Sequence, residues 1–170
     1  MELEQFNINF DYNEVTPFFQ SKPNYRIRFD IDKLKRNTLQ DIINKIYDKN
    51  EEIEMIFISE YITSGKRIST KSNIGKIIAI RNWKETPMLR EGMNEGAVYV
   101  NVKRLERTDV YNYCFAIKKG FREAYISFFS NMFLLYVSSN VIDIISNNQS
   151  EISKLKEMYV ESYDKYYEMK

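Results

Sequence analysis

The residues best suited to chemistry are few and poorly grouped. Ser64-Gly65-Lys66-Arg67 has the outline of a phosphate-binding loop. Glu60, however, stands where that pattern places its first glycine, and Arg67 where it places the magnesium-binding hydroxyl. Neither the backbone nest nor the metal ligand can form from such residues. Asp30 and Asp32 alternate with Arg26 and Arg28, a pattern that serves cross-strand ion pairs better than a hard cation. Glu91 and Glu95 form the least unfavourable acid–base pair, but no spacing ties them to glycoside hydrolysis. The chain has no histidine and one cysteine, Cys114. Histidine triads, Cys-His nucleophiles, disulfides and Cys/His zinc sites are thereby excluded within one chain. Cys114 lies in an apolar run without a neighbouring cation and reads as a buried, unreactive thiol. No catalytic residue, metal or cofactor is assigned, and the chain reads as a non-enzyme. A carboxylate-dependent hydrolase is the weakest of the readings.

Two constellations suit binding instead. Between Thr63 and Arg90 the charges are Lys66, Arg67, Lys71, Lys76, Arg81, Lys84 and Arg90, opposed by Glu85. Trp83 stands among them. Cations neutralise phosphates and an aromatic face stacks on bases, and an acidic protein surface would be matched equally well. Lys66, Arg67, Lys71, Lys76, Arg81 and Trp83 are the candidate patch, with a solvated charged hairpin as the plain alternative. The second constellation is the final stretch, Glu151 to Lys170. Ile152, Leu155, Tyr159, Tyr163 and Tyr166 recur there at helical steps, and tyrosine suits an assembly face. Docking on the chain's own core explains the same pattern.

The elements that must position these residues follow from periodicity. Phe6 to Phe10 alternates as a short strand, and Tyr25 to Asp32 is the cleanest period-two segment. Thr38 is placed to cap a helix running to about Lys49. Ile53 to Ile62 is apolar on both faces and reads as a central strand. Further strands are predicted at Ile74 to Arg81, Ala97 to Leu105 and Val110 to Ile117, the last two joined by a hairpin at Thr108-Asp109. Trp83 to Gly96, with Pro87, Gly92 and Gly96, reads as a loop. Phe121 to about Ile145 carries aromatics at helical spacing and reads as a long helix, with a last helix from Ser150.

The chain has 170 residues, 44% of them hydrophobic, and a formal net charge of +1. That is enough for one domain. The predicted class is α+β: a predominantly antiparallel sheet of about five to six strands, one short helix after the second strand, and two C-terminal helices. Residues 1–148 form the core domain and residues 149–170 a terminal amphipathic helix that docks on the core or on a partner. Ala124 to Ile142 lacks charge but carries many serines and asparagines, so it reads as buried core rather than a membrane span. The N-terminus has no secretory pattern, which points to the cytoplasm, or a virion if the source is viral. Abundant Ile, Lys, Asn and Tyr with scarce Ala, Gly and Pro suggest an AT-rich genome. The leading functional expectation is a non-enzymatic assembly protein, such as a ring or connector component of a phage or virus. It would self-associate or bind a protein partner. The alternative is a nucleic-acid-binding or nucleoprotein-inhibiting accessory protein using residues 63–90.

Overall fold

A computed structural model describes residues 1–168. A two-stranded ribbon, β1 (Glu2–Leu3) and β2 (Ile8–Asn9), opens the chain and is followed by a one-turn helix, α1 (Pro17–Gln20). Then come β3 (Arg26–Asp30), α2 (Arg36–Ile46), β4 (Ile53–Thr63), β5 (Lys66–Ser69), β6 (Trp83–Leu89), β7 (Gly96–Leu105), α3 (Arg107–Lys118), β8 (Ile126–Phe129), β9 (Phe133–Val137), β10 (Val141–Ser146) and α4 (Gln149–Met158). Strands β3 to β10 form one eight-stranded sheet in the order β3-β10-β9-β8-β4-β7-β6, with β5 pairing β4. Every pairing is antiparallel.

The sheet carries a layer on each face. Helices α2, α3 and α4 cover one face, setting Leu39, Ile42, Ile43, Val110, Tyr113, Cys114, Ile152 and Leu155 against Phe29, Met55, Val100, Phe128 and Ile144 of the strands. The N-terminal ribbon covers the other, where Leu3, Phe6, Ile8 and Phe10 meet Ile56, Ile58, Tyr99, Leu134 and Ile145. Burial on both faces removes the apolar–polar alternation by which a strand is ordinarily recognised. Cys114 is fully buried in the helix-side core, and burial pushes its thiol pKa up.

The α+β class stands, but the strand count and the C-terminal half are corrected. Residues 121–145 are not a helix. They form the hairpins β8–β9–β10, and Ser130-Asn131 and Ser138-Ser139-Asn140 are their turns. Their aromatic and β-branched content favours strands, and double-sided burial produces the continuous apolarity that mimics a buried helix. Val110 to Ile117 is helical, not a strand. A capping box between Glu106 and Asp109 starts α3, with the Glu106 N–H donating to Asp109 at 2.9 Å. Thr108-Asp109 therefore opens a helix instead of turning a hairpin. Residues 74–81 hold a 3-10 turn at Ile74–Lys76 and no strand, whereas β6 occupies the stretch expected as a loop. Helix α2 starts at Arg36 rather than at a Thr38 cap and ends at Ile46. The last helix stops at Met158. The predicted helix extended to Lys170, and its final two positions lie outside the described residues. Among the described residues no helix is long and apolar enough to cross a membrane, and 124–142 is strand and turn.

Candidate interaction site

The basic segment leads into an outer strand of the sheet. β6 pairs β7 from Trp83↔Val102 to Leu89↔Gly96, and its other edge pairs with nothing among the described residues. The Arg90 N–H donates to the Glu95 carbonyl at 2.8 Å where the hairpin closes. Counting back from that pair, antiparallel alternation turns the backbone groups of Leu89, Pro87, Glu85 and Trp83 outwards. Pro87 therefore sits where its missing N–H costs the ladder nothing. The edge is also apolar: Trp83 is 57% exposed, Leu89 61% and Met88 39%. On one face Ile68, Tyr61, Ala97 and Met88 lie in a single cross-strand row, of which Ile68, Tyr61 and Met88 are exposed.

At the Trp83 end the sheet edge steps inward. Pairing with β6 stops at Val102 while β7 continues to Leu105. The step is a cavity of about 420 Å³ lined by Ala79, Arg81, Asn82, Lys103, Arg104 and the start of α3. Two of its residues have left-handed backbones, Asn82 with φ 53° and Arg104 with φ 62°. This conformation is uncommon for a residue as long as arginine. Lys103 is paired with Glu54 at 3.4 Å. Arg81 and Arg104 make no ion pair with the described residues.

The predicted patch is thus only partly one surface. Arg67 is held by Glu60 and by Glu85, the latter at 3.0 Å, and these hydrogen bonds raise its pKa. Its charge is satisfied within the sheet. Lys66, Lys71 and Lys76 are exposed on β5 and the segment that follows it, whereas Arg81 lines the cavity and exposed Trp83 begins β6 just after Asn82 of its wall. Sequence reading missed Arg104 and Lys103, which look like the wet face of a strand end. Only the early departure of β6 from β7 turns them into a cavity wall.

Of the predicted assembly face, Ile152, Leu155 and Tyr159 are buried within the chain, Tyr163 is partly buried and Tyr166 is exposed. Ile152, Leu155 and Tyr159 are in the helix-side core, and the Tyr159 hydroxyl donates to Asp41 at 2.5 Å. Tyr163 bridges to Phe29 on β3. Tyr166 is exposed at 66%, its ring edge-on to Tyr167. The segment after α4 therefore closes the outer edge of β3, where the Asp164 N–H also donates to the Arg28 carbonyl at 2.8 Å.

One further polar cluster is buried beneath that closure. Arg28 donates from Nε and Nη2 to both oxygens of Asp143, at 2.6 and 2.8 Å, and Asp143 is fully buried. The Phe18 ring covers both Arg26 and Arg28, whose guanidinium carbons lie 4.1 and 4.0 Å from its centroid. Burial pushes the Asp143 carboxyl up to about 6 against the opposing pull of Arg28. A carboxylate with both oxygens occupied and no solvent contact cannot reach a substrate, so the cluster joins β3 to β10. The carboxylates whose residue types could do chemistry are dispersed. Asp30 accepts from its own turn and pairs with Lys33 at 3.0 Å, while Glu91 and Glu95 are exposed in the β6–β7 turn. Among the described residues no group of three or more acidic, cysteine or histidine side chains is placed to hold a metal. No protein-family model, curated protein or solved structure matches the chain.

Proposed function

We propose that this protein is a non-enzymatic interaction module that docks another polypeptide along the open edge of β6. The observation that carries this reading is the unequal treatment of β3 and β6, the two strands that end the long path of the sheet; the four-residue β5 branches off β4. The β3 edge is closed by the chain's own C-terminal segment. The β6 edge has outward backbone groups and exposed Trp83, Met88 and Leu89. An unpaired edge is a template for strand addition, and proteins that do not use one cover or blunt it. Lys84 and Pro87 restrain it from indiscriminate pairing without closing it. A ring or connector subunit is the case in which the docked polypeptide is another copy of the chain.

Site-specific photocrosslinking in the cell that makes the protein tests this. A photoreactive residue at Lys84 or Met88 is expected to capture a polypeptide, while one at Lys33 or Glu157 is not. Adducts from the control positions alone, or from none, would remove the proposal. Nucleic acid is the second reading, favoured by exposed Trp83 beside Arg81 and Arg104. It requires binding that weakens steeply with salt as phosphates release their counterions.

A further inference from the structure

We infer that the occupant of the β6 edge is an extended polypeptide segment bearing carboxylates at the end that passes Trp83, where Arg81 and Arg104 receive them. This rests on the reading of β6 as a docking edge and adds the chemistry of the partner. A segment added to β6 meets the outward N–H groups of Trp83, Glu85 and Leu89, interrupted at Pro87. Beyond Trp83 the edge steps back to β7, and the partner runs over the cavity of about 420 Å³. There Arg81 and Arg104 have no ion pair with the described residues. Glu85, the acidic residue within β6, is already held by Arg67. At the Trp83 end, Arg81 and Arg104 therefore present guanidinium groups without ion-pair partners, while the Glu106 and Asp109 carboxylates on the same wall accept from the backbone of α3; complementary charge selects partners more strongly than it adds affinity.

The same observations weigh against the other occupants. A second copy would bring an edge of the same positive sign, since residues 81–90 carry Arg81, Lys84 and Arg90 against Glu85. A nucleic acid backbone has no amide row to pair with the outward groups of β6. Glu106 and Asp109 also line the cavity, committed to the capping box of α3. Their charge opposes a polyanion more than a single carboxylate.

Trp83 is the only tryptophan of the chain and is largely exposed, so its emission reports on the edge directly. The full chain is titrated with a short capped peptide of alternating Val and Thr ending in two acidic residues, which antiparallel addition to β6 carries past Trp83. Three comparison probes accompany it: the same peptide with lysines replacing the acids, the acidic peptide N-methylated at alternate residues, and a single-stranded oligonucleotide. The acidic peptide is expected to shift Trp83 emission to the blue and to saturate, and the lysine and N-methyl versions are not. Arg81→Gln with Arg104→Gly is expected to weaken that binding roughly tenfold or more, equivalent to about 1.4 kcal/mol or more. Glycine suits the left-handed backbone at position 104, so the variant keeps its fold, which circular dichroism checks. Arg104→Gly alone gives a second, milder test. Equal binding of the lysine peptide, or undiminished binding by the double variant, would overturn the acidic-partner inference while leaving β6 as a docking edge. Preference for the oligonucleotide, or a particle mass that rises with concentration in the free protein, would assign the edge to nucleic acid or to a second copy. Binding of no peptide would also overturn the inference, and crosslinking at Lys84 and Met88 then decides the docking edge independently.

Discussion

At the scale of single residues, the Arg28–Asp143 pair is the most costly feature of the interior. Ionised groups leave water at a penalty that a bidentate geometry only partly offsets. The Asp143 carboxyl is pushed up to about 6 in the native state, against an ordinary value of about 3.9 in an unfolded chain. Between those values the native protein holds the proton more tightly than the unfolded chain does. The contribution of this residue to stability is therefore full at low pH and declines as pH rises through the window, by roughly 2–3 kcal/mol in all. Above about pH 6 it is level. Asp143→Asn keeps the shape without the charge and is expected to lack that decline. Urea unfolding of both proteins at about pH 4.5 and about pH 7 measures the difference. Parallel behaviour of the two would show that Asp143 titrates normally.

At the scale of elements, β6 depends on a close approach. A Cβ on Gly96 would lie 2.0 Å from the Met88 carbonyl oxygen, a backbone atom that cannot swing aside. Gly96→Ala is thus expected to force β6 away from β7 at the hairpin end, at a cost of about 1–3 kcal/mol. Hydrogen exchange should quicken in β6 and in the β7 residues facing it, while β3, β9 and β10 keep their protection. Unchanged exchange in β6 would mean that the hairpin absorbs the methyl group elsewhere. Part of this level was legible beforehand. Alternation marked β3, the helical spacing of Leu39, Ile42, Ile43 and Ile46 marked α2, and Ala97 to Leu105 marked β7. The residues of α3 fit both periods, and its capping box decides in favour of the helix. β6 was hidden because a strand exposed on both faces carries no apolar rhythm, and Pro87 argues for a loop until its outward position is known.

At the scale of the whole molecule, the chain's own C-terminus decides which sheet edge is available. Tyr163 and Asp164 cover the outer edge of β3, and Tyr167 lies over Arg28 at 5.1 Å. A chain ending at Tyr159 would keep α4 but uncover both the edge and the buried arginines. It is expected to lose stability and to show a particle mass that increases with concentration in light scattering, through pairing at β3. The same melting temperature and mass as the full chain would show that the segment does not guard the edge. The tyrosines of this region, which resemble an assembly face in sequence, close the fold in cis through Tyr159 and Tyr163.

By itself the sequence determined composition-level facts: an α+β chain with enough apolar residues for a core, and without the histidines and cysteines that several site chemistries require. It also marked the strands and helices whose two faces differ, because one-sided burial writes a period into the residues. What only the tertiary structure decided is everything that depends on two-sided burial or two-sided exposure. Strands β8 to β10 lie under helices on one face and the ribbon or α1 on the other, so their apolarity is continuous and their period is lost. Strand β6 is wet on both faces and equally silent. The cavity beside Trp83 belongs to the same class. Arg81 and Arg104 are far apart in the chain, and they meet only because β7 continues past the point where β6 begins.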